Sequence, residues 1–427
     1  MGLGMERMRL PYRSLLAGVV IVWGSLLSVI GPVTADASEQ ATATTVRQVL
    51  AGVTDTASAE VAAALTEVAV AELGQSRSLQ LPVVTVDAQD ELAGDPVSSE
   101  PEAILRVEQM LLDWGRSDGD VSGRESALEA RKSAEREAVL DAGLQSIEAF
   151  YGIGAIKQKI AANEENRTAL VELRDMMERR VDNDVSPSID LHEVATRLDL
   201  LDIADHRLGA DRRKLQLTLI RLAGVNVEDP EIQDCERDTA LDEERAVRDA
   251  ISFSPTLDRI RHQAEAFAFD AAALEADRLP SLVAGYRADS RLDGNEFDQR
   301  AYLALRYELQ TGGELEARRA AQHARHLEQR ALLRRDAEVV TQTVGAWVST
   351  YRTSVSLVEV YRRLVSAKVK QKESHLRRFL AGRSSWRDVL SAQQEVADAR
   401  TARIDAASAV CLASTSLSLL TGDTSEL

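Results

Sequence analysis

Residues 279–309 read LPSLVAGYRADSRLDGNEFDQRAYLALRYEL. After Pro280, Leu282, Ala284 and Tyr286 alternate with Ser281, Val283, Gly285 and Arg287. A polar turn signal follows at Asp293-Gly294-Asn295, and then Ala301, Leu303, Leu305, Tyr307 and Leu309 alternate with Tyr302, Ala304, Arg306 and Glu308. Period-two patterning on two runs of about ten residues around a turn predicts a β-hairpin. The same register recurs earlier: Val84, Val86 and Ala88 form one run, and Ala103, Leu105, Val107 and Leu111 the return run.

Strands of this length, apolar on one face and polar on the other, suit a membrane-spanning β-barrel. Tyr286, Phe297, Tyr302 and Tyr307, with Trp114 from the other hairpin, read as part of an aromatic girdle. Two hairpins packed on helices in a soluble α+β protein are the competing reading. Four strands cannot close a barrel in lipid, since the smallest need about eight. An open sheet would leave backbone groups unpaired in hydrocarbon. Hairpins inserted in a membrane therefore require several chains to share one barrel.

The rest of the chain reads as helix. Its nine prolines leave 102–186 and 281–427 without any, and both stretches are rich in Ala, Leu, Glu and Arg, all strong helix formers. From Gly119 to Arg180 the pattern runs about 60 residues, or about 90 Å, a length that belongs to coiled coils or helical tubes. The chain also repeats itself. An offset of 198 carries Leu81-Pro82 onto Leu279-Pro280, Gly115 onto Gly313, Arg179-Arg180 onto Arg377-Arg378, Asp190 onto Asp388, and Gly224 onto Gly422. Each half reads as helix, hairpin, very long helix, tight turn and helix. The expected boundaries are a first repeat at 38–225, with its hairpin near 82–112 and its tip near 180–190. The second repeat spans 253–422, with hairpin near 280–310 and tip near 378–388, and a tail follows at 423–427. Residues 226–252, acidic and holding Pro230 and Cys235, read as an irregular connector.

Arg7, Arg9 and Arg13, an apolar run over 14–30 and Ala35-Asp36-Ala37 make residues 1–37 a signal peptide by pattern. No cysteine follows the run, and no later stretch reads as a membrane helix. The net charge of -18 argues against nucleic-acid partners, which require a basic footprint. Two cysteines exclude a disulfide framework and a four-thiolate metal site. The six histidines scatter; His323 and His326 lie three apart on a helix without a third ligand, which favours a solvated face over a metal site. No nucleophile–base, phosphate-loop or paired-carboxylate pattern stands out, so no enzyme, cofactor or metal is expected.

Residues 378–393 read RFLAGRSSWRDVLSAQ. Together with Ser254-Pro255, Leu279-Pro280, the closing Leu419-Leu420-Thr421-Gly422, the duplication and the hairpins, this run resembles the outer membrane efflux protein (TolC-like) family. The resemblance covers nearly the whole chain after the leader. It implies a homotrimer that is mainly α with a small β part, four strands per protomer building a shared 12-stranded outer-membrane β-barrel above a long α-helical barrel. It further implies a passive outer-membrane exit duct with a periplasmic helical part, opened by a periplasmic adaptor and an inner-membrane ABC or proton-driven transporter, in type I protein secretion or multidrug efflux. The tip itself looks like that of branches exporting large adhesins. A soluble periplasmic coiled-coil scaffold or adaptor is the alternative.

By this resemblance Asp388 and Asp190, with Arg383 and Arg387, stand at the pore entrance, and three copies of Asp388 around an axis would raise one another's pKa. An N-terminal first-turn role is the other reading of Asp388. The family's second acidic tip position is Ser391 here, and the arginine expected at Ser384 is missing. Gly382, Ser384, Ser385, Trp386, Ser186 and Pro187 form the tips that an adaptor would dock on. Trp386 reads as a docking hot spot or as core, and Ser186 or Ser188 as a helix cap. In the family fold the connector and the end of the last helix share a level, which leaves a Cys235–Cys411 disulfide possible. The overall acidity predicts a cation-preferring lumen.

Overall fold

The computed structural model describes residues 44–54, 56–89, 102–230, 235, 241–291, 297–307 and 312–423; the signal-peptide reading and the 423–427 tail beyond its first residue lie outside them. The order is α1 (Val46–Val53), α2 (Ala57–Ser78), β1 (Val83–Gln89), β2 (Glu102–Leu112), α3 (Arg116–Asp182) and α4 (Ser188–Ala223). Then come α5 (Glu243–Phe253), α6 (Pro255–Ala276), β3 (Ser281–Arg291), β4 (Phe297–Arg306), α7 (Glu314–Leu380) and α8 (Trp386–Thr421).

The helices recur in matched lengths: α2 and α6 have 22 residues, α3 and α7 have 67, α4 and α8 have 36. All three pairs of bounds differ by 198. A 67-residue helix rises about 100 Å. Each long helix starts after a left-handed glycine, Gly115 or Gly313. At the first start Asp113 accepts the orphan amides of Gly115 (3.2 Å) and Ser117 (2.9 Å).

The helices pack in rows. α4 lies on α3, α3 on α8, and α8 on α7; towards the sheet, the row is α2, α3, α6, α7. One apolar cluster joins α1, α3, α4 and α8 through Val49, Ile147, Phe150, Tyr151, Leu219 and Cys411. A second joins α5, α7 and α8 through Ala250, Val344, Val348, Tyr351, Val410 and Leu417. The third lies where the long helices turn. Because α8 serves all three, its outer half is unusually apolar. By length and composition it meets the requirement for a membrane-crossing helix, contrary to expectation, yet 56% of that window is buried against its neighbours. It is a core helix.

The connector was expected to be irregular throughout, but its last part is α5. Asp242 caps this helix by accepting from the Glu244 amide at 3.1 Å, and Glu243 and Glu244 occupy the first turn, where negative charge complements the helix dipole. Ala250 on its inner face seats it on α7 and α8. Within the same connector Cys235 is disulfide-bonded to Cys411 of α8, which ties the segment to the bundle.

Candidate functional site

Two places concentrate features that packing alone does not require: the sheet, and the two tips at the far ends of the long helices.

The sheet is antiparallel in the order β1-β2-β3-β4. Register fixes its faces. Val86 lies opposite Leu105, Leu105 opposite Ala288, Val107 opposite Tyr286, and Leu282 opposite Leu305. The other face carries Thr85, Arg106, Arg287 and Arg300 in one cross-strand row, with Ile104, Asp289 and Asp298 in the next. The large aliphatic side chains of the apolar face are left exposed. On the apolar face Val84, Val86, Leu303 and Leu305 are 60%, 73%, 70% and 69% exposed, whereas Ile104 and Val283 on the polar face are 5% and 2% exposed.

Most charged groups on the polar face are paired. Arg306 binds both carboxylate oxygens of Glu108, at 2.7 and 2.8 Å. Asp289 accepts from Arg287 at 2.6 Å and from Arg300 at 3.1 Å. Two details differ from the period-two reading. Tyr302 was grouped with the girdle, but it lies opposite Gly285 on the polar face and donates its hydroxyl to Glu108 at 2.6 Å. Leu111 was read in phase with Leu105 and Val107, but the register shifts between Met110 and Leu112. Leu112, not Leu111, therefore faces Leu282. A bulge adds one residue to one strand and shifts the parity beyond it. Trp114 stands at the end of β2, its indole N–H donating to the Pro280 carbonyl at 2.8 Å.

At the second tip the chain turns through Gly382, whose φ of 73° lies where side chains are disfavoured. Ser385 caps α8: its hydroxyl accepts from the Asp388 amide at 3.2 Å, while Asp388 accepts from the Ser385 amide at 3.0 Å. This is a reciprocal capping box. Asp388 also accepts from the Ser384 hydroxyl at 2.8 Å. The hydrogen bond from Ser384, then those from Ser385, hold its carboxyl below the usual range. Within one protomer the first-turn reading of Asp388 is thus realised.

At the first tip, Asp184 occupies the left-handed position with φ 56°, 198 residues before Gly382. Its cap differs from expectation, since neither Ser186 nor Ser188 caps α4. The N-cap is Pro187, its carbonyl accepting from the Asp190 amide at 3.1 Å. Ser186 instead accepts from Arg180 Nε at 3.1 Å. Burial, reinforced by Glu193, pushes the Asp190 carboxyl up.

The two tips are locked to each other. Trp386 is 3% exposed and packs on Phe379, ring centroids 5.2 Å apart, within a cluster that includes Leu173, Met177 and Val194. Its indole N–H donates to the Asp190 carbonyl at 3.0 Å. Of its two readings, core wins, and Trp386 offers no surface to a docking partner. Arg180 lies 4.9 Å over the Phe379 ring, and Arg387 pairs with Glu193 at 2.9 Å. Arg383 is exposed and forms no side-chain ion pair among the described residues. His326 Nδ1 lies 2.9 Å from the Ala264 carbonyl, so a helix contact occupies it.

Comparison with known proteins follows the same division. The family model for outer membrane efflux protein matches residues 246–423. No curated protein sequence matches the chain. Among solved structures, a membrane protein from Pseudomonas aeruginosa is similar with TM-score 0.79 and 16% identity, over 88% of this chain and 92% of that one. The outer membrane protein VceC of Vibrio cholerae gives 0.79 at 14% identity, over 88% and 96%. The CmeC outer membrane channel of Campylobacter jejuni gives 0.75 at 13% identity, over 88% and 85%. The second half of the chain therefore matches the outer membrane efflux protein family in sequence, and nearly all of its length shares the fold of these solved outer-membrane proteins.

Proposed function

We propose that this chain is one third of a homotrimeric outer-membrane exit duct. The observation that carries the proposal is the sheet. Its apolar face is exposed, its polar face buries Ile104, Val283 and Asp289, and among the described residues strands β1 and β4 each have one edge without a partner. Exposed apolar strands with open edges are an aggregation hazard in water and a requirement in lipid, where every edge must be closed. Three copies give twelve strands, which closes a barrel of permitted size. β1 runs away from the helices and β4 returns to them, so β4 of one copy meets β1 of the next antiparallel and keeps the alternation.

Below the barrel the long helices form a periplasmic tube. The chain is one component of a tripartite export system, a passive conduit for protein or small-molecule cargo. An adaptor docks on the exposed tip residues Gly382, Ser385 and Pro187 and the half-buried Ser384 and Ser186, and an inner-membrane pump supplies the energy. Asp388 and Asp190, with Arg383 and Arg387, stand at the entrance that these partners open. The chain consists of a leader at 1–37, two repeats at 38–225 and 253–422, and an equatorial connector at 226–252.

The test is fractionation followed by reconstitution. The duct reading expects outer-membrane material, a heat-modifiable trimer on denaturing gels, and discrete conductance steps in planar bilayers. A monodisperse single-subunit species in detergent-free buffer would favour the soluble scaffold and sink the proposal.

A further inference from the structure

One helix crossing carries the two central strands. β2 ends at Leu112 and leads into α3, whereas α6 ends at Ala276 and leads into β3. α3 and α6 pack on each other extensively, and they meet at two glycines one turn apart. A Cβ at Gly119 would stand 3.0 Å from Ala273 Cβ, and one at Gly123 would stand 2.8 Å from Asp270 Oδ1. Glycine admits such close approach because it carries no side chain. The Asp270 carboxylate therefore lies against the α3 backbone. Asp120, next to Gly119 in sequence, lines with Asp270 a cleft of about 400 Å³ between α3, α6 and α7.

The arginines around this cleft are engaged with other partners. On α3, Arg116 pairs with Asp277 at 3.1 Å and Arg124 with Glu72 of α2 at 3.3 Å. On α7, Arg318 pairs with Glu314, and Arg325 donates to Gln322 at 3.3 Å. Asp113 accepts from Gly115 and Ser117. Asp120 and Asp270, both half-buried, have no hydrogen bond or ion pair among the described residues. Burial pushes both carboxyls up, and the charge of Asp120 adds to the rise at Asp270. Asp277 and Asp113 act on Asp120 in the same sense, while Arg116 and Arg124 oppose it. Arg124 and Arg325 oppose the rise at Asp270.

We infer that this crossing is an acid-tightened collar beneath the strands: the charges of Asp120 and Asp270 oppose the α3–α6 contact, and a proton taken up by the pair lets it close. All of its groups belong to one protomer, so the collar does not depend on the duct reading. Like charges in a partly desolvated contact disfavour one another, and a protonated carboxyl replaces a charge with an O–H donor. A folded-state value above the unfolded one makes ionisation oppose the contact at neutral pH, and acid removes that penalty. β2 and β3 are paired from Glu102–Arg291 to Leu112–Leu282, so the collar holds the base of that strand pair.

The experiment is hydrogen exchange on the purified full chain, corrected for intrinsic rates. Amides of 117–125 and 267–275 are expected to gain protection several-fold as pH falls from about 7 to about 4, the ordinary aspartate value. Asp270→Asn and Asp120→Asn, each close in shape to the protonated acid, should show raised protection already at neutral pH and a flattened response. Wild-type protection that stays constant or falls would overturn the inference, as would asparagine variants that respond like the wild type. A second arm moves the carboxylate instead of neutralising it. Gly123→Ala places a methyl where Asp270 Oδ1 now lies and turns that side chain outward, so the acid response should shrink while α7 keeps its protection. A full response in Gly123→Ala would mean that the buried placement of Asp270 is not its source, and would overturn the collar.

Discussion

The Tyr302 hydroxyl reaches Glu108, two strands away in the sheet, by crossing over Gly285, donating at 2.6 Å to a carboxylate already held by Arg306. A Cβ at Gly285 would stand 2.2 Å from Tyr302 Cζ, closer than atoms can approach. The glycine is therefore required by its neighbour's ring, not by its own backbone angles. Gly285→Ala should expel Tyr302 and lower the temperature of heat modification on denaturing gels. Tyr302→Phe keeps the ring and loses one hydrogen bond, a loss of about 1 kcal/mol. Finding the two variants equally mild would contradict this placement.

The disulfide between Cys235 and Cys411 spans 176 residues of sequence and fastens the acidic connector to the buried side of α8. Closing so long a loop restricts the unfolded chain, so its removal should cost about 2–5 kcal/mol. Cys411→Ser should lower the thermal unfolding midpoint of the helical signal. Reductant should lower the wild-type midpoint to a similar value and leave the variant unmoved. If reductant shifts both equally, the bond is not what stabilises this region.

The two tips should respond to acid in opposite senses. Asp388 has a folded-state pKa below its unfolded value, so its contribution is present at neutral pH and is lost as pH falls through the folded value. Asp190 has its pKa raised, first by burial and then by Glu193. Its ionisation therefore opposes the fold at neutral pH, and acid relieves that penalty. Hydrogen exchange corrected for intrinsic rates should show the first turn of α8 losing protection only as pH falls below about 4, the ordinary aspartate value. The first turn of α4 should hold or gain protection over the same range. Asp388→Asn should abolish the α8 response alone, and parallel loss at both tips would refute the assignment.

These placements were legible in the sequence to different depths. Proline-free stretches and the 198-residue offset give the long helices, because propensity and period accumulate over many residues. The hairpins follow from period two. The parity at Leu112 does not, since a bulge changes the phase without changing composition. The Tyr302 face is readable from alternation with Leu303 and Leu305 once the pattern is preferred to the aromatic count. Helix α5 was hidden because its acidic first turn reads as loop unless Asp242 is recognised as a cap. Trp386 sits at a turn, where sequence cannot tell an exposed anchor from a plug. Only the Asp190 carbonyl and the Phe379 ring, brought in from distant positions, decide it.

That plug has a measurable consequence. Trp386→Ala should cost about 3–5 kcal/mol, as large aromatic deletions from packed cores do, and the loss should be local to the tips. Limited proteolysis should then cut near 183–187 and 381–385, while the disulfide-tied part of the bundle stays resistant. Trp386→Phe should restore most of the resistance, losing only the indole hydrogen bond. Arg387→Ala, which removes a pair whose arginine side chain is 80% exposed, should leave proteolysis unchanged. Equal sensitivity of both alanine variants would mean that the surface pair, not the core, holds the tips together.

Ion selectivity separates the sheet from the tips. Among the described residues the polar face of the sheet carries Asp87, Glu108, Asp289 and Asp298 against Arg106, Arg287, Arg300 and Arg306, a balance of charge unlike the acidic chain as a whole. A barrel lined by this face contributes little preference of its own. Rings of acidic side chains at a constriction favour cations, and three copies of Asp388 at the entrance would form one. Reversal potentials in salt gradients should therefore show cation preference that falls in Asp388→Asn. Arg106→Gln, which removes the one arginine of its row without an ion pair among the described residues, should move them much less. A larger shift from Arg106 than from Asp388 would place the selective ring in the barrel and remove Asp388 from the pore.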